Sequence, residues 1–149
     1  EIESFGLDYL FGNQDEAMAF VGAENLEAAL IALQIKSYTS VITMDEGGSA
    51  VVQPNKIIKT PRHHNMNQAI DTNGAGDMFA GSFLYALLQK HSLEACAEFS
   101  NYGAAKVVET FGPRLSSDGY AEVLNKLDHA SIVQQRKITI PFIKTTLNL

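Results

Sequence analysis

The apolar positions change period along the chain, and each change marks an element. Residues 9–11, Tyr-Leu-Phe, form a short apolar run that reads as the end of a buried strand. Asn13 then caps a helix reaching about residue 21, because Asn13 and Glu16 have the spacing at which each side chain satisfies a backbone donor of the first turn. Glu24-Asn25-Leu26 opens a second helix, with Leu26, Leu30 and Leu33 on one side. Residues 40–44, Ser-Val-Ile-Thr-Met, are mostly apolar over the length of a strand, a pattern suited to a parallel strand covered on both faces. Asp45-Glu46-Gly47-Gly48 turns the chain back through 49–52, and Pro54-Asn55 turns it again into a short strand at 56–59.

Residues 60–69 are polar and read as a loop. Beyond Asp77 the period becomes helical, with Phe79, Phe83, Ala86 and Leu87 on one face. Ser92 caps a further helix from Leu93 to about Thr110. Its stripe of small residues, Cys96, Ser100, Gly103, Ala104 and Val107, lets it pack closely on a neighbour, and Gly112-Pro113 stops it. A short helix over 120–127 and an edge strand at 138–140, ending at Pro141, complete the expected elements. The alternation of strands and helices predicts an α/β class with a largely parallel sheet, whose ligands bind beyond the carboxyl ends of the strands.

Composition narrows the function classes. At 149 residues the chain is expected to form one domain, and it can bury a proper core. A formal net charge of −6 argues against nucleic acid or an anionic membrane as partner. It leaves a nucleotide open, since local N–H groups and a bound metal can offset local charge. Cys96 is the single cysteine, so there is no internal disulfide and no cysteine metal site. No apolar run approaches membrane-spanning length and no signal peptide opens the chain, which fits a cytoplasmic enzyme. His63 and His64 are adjacent in a loop, where neighbouring side chains point apart, so they read as solvated, as do His91 and His129.

The chemistry concentrates at Asp71-Thr72-Asn73-Gly74-Ala75-Gly76-Asp77. A glycine turn here runs straight into a helix N-terminus, where the first backbone N–H groups lack intrahelical partners and the dipole is positive. Gly74 and Gly76 have no side chain to block an approaching anion, so the turn can cradle a phosphate. Asp77 then either complements the dipole or accepts the proton of an attacking hydroxyl. A plain turn followed by an N-cap accounts for the same string without any chemistry.

The full heptapeptide resembles the C-terminal signature of the ribokinase (PfkB) family of carbohydrate and nucleoside kinases. The resemblance implies an ATP-dependent kinase of three-layer, Rossmann-like α/β fold. Asp77 would be its catalytic base, and Gly74, Ala75 and Gly76 the anion hole for the γ-phosphate. It also implies a monovalent cation, K⁺, at Asp71 and the backbone near Asn73. Asn13 and Glu16 match an Asn-x-x-Glu motif that organises the Mg²⁺ and phosphate region, beside their capping role. Thr43 and Gly48 match a strand-end threonine and a glycine turn that approach ATP, although Asp45 stands where the family often has glycine. Asn101, read as an exposed helical residue, matches a nucleotide-contacting asparagine. The resemblance runs from Asp8 to Leu127. The family's N-terminal half, with its acceptor motif and small β-sheet lid, has no counterpart, so the chain reads as the nucleotide-binding part, 1–149, of a single domain. The acceptor would be a small-molecule alcohol. Adenosine leads, a sugar such as ribose or fructose follows, and a non-catalytic nucleotide-binding module is the competing class. Homodimerisation through the lid is a further expectation.

Overall fold

In the computed structural model the described residues are 6–63 and 69–137. Four strands, β1 (Tyr9–Asn13), β2 (Thr39–Thr43), β3 (Ser49–Gln53) and β4 (Lys56–Thr60), lie in one sheet in sequence order. Only β1–β2 is parallel, with Asn13 opposite Thr43; β2–β3 and β3–β4 are antiparallel. The sheet is therefore mixed, not largely parallel, among the described residues. The connections at 44–48 and 54–55 are too short for a parallel crossover, which needs a dozen residues or more.

Alternation along the strands builds two cores. Ile42, Ala50 and Val52 face α1 (Gln14–Val21) and α2 (Leu26–Leu33), where Ala17, Leu30 and Leu33 meet them. Val41, Val51 and Ile58 face the opposite way. They pack against α3 (Ala75–Leu88), α4 (Leu93–Val108) and α5 (Ser117–Lys137) through Phe79, Phe83, Val107 and Val123. Helices thus cover both faces of the sheet, giving the expected three layers. Helices α3 and α4 touch along their lengths because of Gly103: a Cβ there would stand 2.6 Å from Ser82 Oγ. Cys96 is fully buried in this core and burial pushes its thiol up to about 11, so it serves as a small apolar residue.

Several boundaries shift from the sequence reading. Helix α4 ends at Val108, and α5 begins three residues before the expected 120 and runs ten beyond 127. Ser116 explains the early start, since its Oγ accepts from the Gly119 N–H at 3.2 Å and offsets a glycine in the first turn. His63 is half-buried, not solvated, with its ring edge-on to Tyr102 at 4.9 Å. The side chains of His64 and His129, and the expected strand at 138–140, lie outside the described residues. Among the described residues no helix is long and apolar enough to cross a membrane.

Candidate active site

The glycine turn is held from both ends. The Ile70 and Asp71 N–H groups donate to the Val108 carbonyl at 2.8 and 3.3 Å, tying the turn to the end of α4. Asp71 then uses both carboxylate oxygens: Oδ1 accepts from the Asn73 N–H at 2.9 Å and Oδ2 from the Gly112 N–H at 3.1 Å. Its side chain therefore joins the turn to the loop after α4. Gly74 adopts φ +81°, and a Cβ on it would lie 2.7 Å from the Pro113 carbonyl oxygen, so two constraints demand glycine. Gly76 differs: a Cβ there would meet nothing within 4 Å. That open space is the mouth of the site. Of the N–H groups that open α3, that of Ala75 donates to the Thr72 carbonyl at 3.3 Å, those of Gly76 and Asp77 precede the first intrahelical acceptor, and Asp77 stands exposed beside them.

Two adjoining cavities of about 320 Å³ each share Asn13, Thr43, Gly76 and Phe79 on their walls. One runs along β1 past Glu16 to Asp77; the other passes Asp45, Gly48 and Arg62 to Asn101. The carboxyl ends of β1 and β2 thus meet the N-terminus of α3, as the strand-end rule expects. Of the residues singled out from sequence, Asn13, Glu16, Thr43, Gly48, Gly76, Asp77 and Asn101 line these cavities directly, and Ala75 lines one. Asp71, Asn73 and Gly74 are not on these walls but belong to the turn that leads into them.

Local geometry qualifies three of those assignments. Asn13 and Glu16 form a reciprocal cap, with Glu16 N–H to Asn13 Oδ1 and Asn13 N–H to Glu16 Oε2 both at 2.8 Å. Glu16 remains exposed and can serve a second partner. Gly48, at φ +82°, is buried against the backbone of 60–62, where a Cβ would overlap the Thr60 carbonyl. Its glycine is required by packing before any ligand arrives. Asn101 is not exposed. It is 8% accessible, and its Nδ2 donates to Ser49 Oγ at 3.1 Å, Pro61 O at 3.1 Å and Thr60 O at 3.4 Å. Asp45, in the place of a glycine, takes φ +47°, a conformation aspartate tolerates, while its Oδ2 accepts from Gln14 Nε2 at 2.9 Å.

Arg62 was not foreseen. It lines the second cavity and a further one of about 480 Å³, running from Thr60 past Asn101 and Tyr102 to Lys126. Among the described residues no group of three or more His, Cys, Asp or Glu is gathered as a metal site. Magnesium takes one or two carboxylates and completes its shell with water and phosphate, so an exposed Glu16 beside the cavity fits a metal that arrives with a nucleotide. Asp71 and the carbonyls of the two loops it joins are oxygen donors of the type a monovalent cation takes.

This is a three-layer α/β domain in which a glycine turn opens a helix at the strand ends. The sequence profile of the pfkB family carbohydrate kinases matches residues 5–118, and the chain belongs to that family. The chain is 31% identical over 119 residues to adenosine kinase 2 of Arabidopsis thaliana, covering 71% of this chain and 34% of that protein. It is 33% identical over 132 residues to the ribokinase of Haemophilus influenzae, covering 83% and 42%. Its fold superposes on the adenosine kinase of Sinorhizobium meliloti with TM-score 0.76 at 30% identity, covering 83% of this chain and 38% of that one. The chain thus spans about a third of the length of the adenosine kinases of Arabidopsis that it matches. A second profile, the Hda lid domain, matches residues 116–147.

Proposed function

We propose that this chain is the nucleotide-binding part of an ATP-dependent kinase that phosphorylates a primary hydroxyl of a small molecule. The observation that carries the proposal is the meeting of Asp77, the N-terminus of α3 at Gly76, and the ends of β1 and β2 on one pair of cavities. The anion site holds the γ-phosphoryl group, and Asp77 takes the proton of the acceptor hydroxyl. The hydroxyl oxygen bonds to the γ-phosphorus as the bond to the β–γ bridging oxygen breaks, releasing ADP. Gly74, Ala75 and Gly76 supply the hole, and Thr43 and Asn101 border the path of the nucleotide. A magnesium ion bound with ATP would neutralise phosphate charge, and Glu16 and Asn13 are the residues that would face it. K⁺ is proposed beside Asp71 and the Asn73 backbone.

Adenosine is the proposed acceptor, supported by the likeness to adenosine kinases at about 30% identity over most of the chain. A sugar such as ribose is the second reading, supported by the likeness to a ribokinase at 33% identity. The acceptor would enter along β1, the sheet edge beside Asp77. A non-catalytic module is disfavoured by the presence of Asp77 at the cavity. A cytoplasmic location and homodimerisation through the lid accompany the proposal, the second to be checked by sedimentation of the full-length protein. The direct test is Asp77→Asn in full-length protein. Turnover should fall by about 10²-fold or more with ATP binding retained. Near-wild-type turnover would overturn the mechanism.

A further inference from the structure

Arg62 sits in a loop fixed from several directions. Pro61 restricts the backbone before it, and the Asn101 amide donates to both the Thr60 and the Pro61 carbonyls. From the other side the Gly48 backbone comes so close that a Cβ would overlap the Arg62 N–H. The guanidinium is in turn paired with Glu46, on the turn after β2. Glu46 is 87% exposed while Arg62 is only 23% exposed, so the carboxylate reaches in from solvent to aim a cation that is partly under cover. An ion pair with one partner in solvent contributes little to stability.

The charges around it point to a ligand. Among the described residues on the two cavities beside Gly76, Arg62 is the single lysine or arginine, against the carboxylates of Glu16, Asp45 and Asp77. A nucleoside triphosphate brings further negative charge into that space. The N–H groups of the glycine turn hold one end of it, and Arg62 lines the same cavity as Gly76 and also the larger cavity beyond Asn101. A planar guanidinium presents several N–H donors, so it can keep Glu46 and take phosphate oxygens together.

We infer that Arg62 binds the phosphates of the donor nucleotide, with Asn101 as the positioning residue that pins its loop and Glu46 as the residue that aims its head. The inference rests on the proposed nucleotide site and names the cation that site uses. It also gives Asn101 a role in holding protein backbone that its place on α4 alone does not suggest.

The test is calorimetric titration of full-length wild-type, Arg62→Gln and Arg62→Lys proteins with ATP, ADP and AMP, without acceptor. Loss of charge-assisted hydrogen bonds to phosphate should weaken ATP and ADP binding by about 10- to 100-fold in Arg62→Gln. AMP binding should change by less than about threefold. Arg62→Lys should recover part of the loss, keeping charge without the fork. Melting of the unliganded variants checks that the fold persists, and the AMP titration keeps the comparison internal if it does not fully do so. Equal losses for all three nucleotides, or no loss for ATP, would overturn the role of Arg62 alone. A wild-type protein that binds none of the three would instead overturn the nucleotide site itself, and this inference with it.

Discussion

Glu16 meets one demand, the cap, and is proposed to meet a second with the same carboxylate. Its Oε2 closes the cap on α1, and its exposed position beside the cavity leaves it available to a metal ion carried by a phosphate ligand. Glu16→Gln retains the capping hydrogen bond and removes the charge. The expected outcome is a shifted Mg²⁺ dependence of activity with a nearly unchanged melting temperature; a lower melting temperature with the same Mg²⁺ curve would leave Glu16 a cap only. Cys96 gives a second residue-level test. Its thiol is raised from an ordinary 9.0 to about 11, so the fold favours the protonated form. The stabilisation is complete below pH 9 and is lost as pH rises towards 11. Chemical denaturation across that window should show a flatter loss of stability in Cys96→Ala than in wild type. The capping box was legible because it is local in sequence. The burial of Asn101 was not, because it depends on which turn of α4 lands on the 60–62 backbone, and Arg62 carried no periodic signal at all.

At the scale of elements, the two glycines of the turn separate folding from binding. Gly74→Ala places a Cβ 2.7 Å from the Pro113 carbonyl at a positive φ, and should destabilise the protein by about 2 kcal/mol or more. Gly76→Ala lies in α3 with open space at its Cβ, and should leave stability equal or raise it by up to about 1 kcal/mol. It should nonetheless weaken ATP binding, since the added methyl enters the anion site. Denaturant titration together with calorimetry reads both effects; a Gly76→Ala protein with unchanged affinity would show that the turn does not hold phosphate. Strand and helix order were legible from period and caps. The run at 40–44 does form a strand parallel to β1, but the alternation that predicts a largely parallel sheet does not hold at β3 and β4, which short turns make antiparallel.

The molecule as a whole is open along β1, which pairs with β2 and with no other described strand. Tyr9 and Phe11 pack against Phe83 from this edge, with Phe11 and Phe83 in an edge-on contact at 5.5 Å. An edge strand carrying large apolar residues is a site of self-association, so residues 1–149 alone should aggregate or require an N-terminal complement. The three-layer architecture was legible through the family resemblance of one heptapeptide, and the place of that heptapeptide at the strand ends through the alternation of strands and helices. The acceptor was not, because the cavity by Asp77 opens onto that bare edge. Phosphoryl transfer depends on holding donor and acceptor in line, and the proposed reading puts only the donor side in this part. The decisive measurement is ADP formation with adenosine, ribose and fructose, by full-length protein and by residues 1–149 in parallel. The account predicts acceptor-dependent ADP formation by the full-length protein and none by residues 1–149. Activity in the short chain, or no acceptor-dependent ADP from the full-length protein, would contradict it.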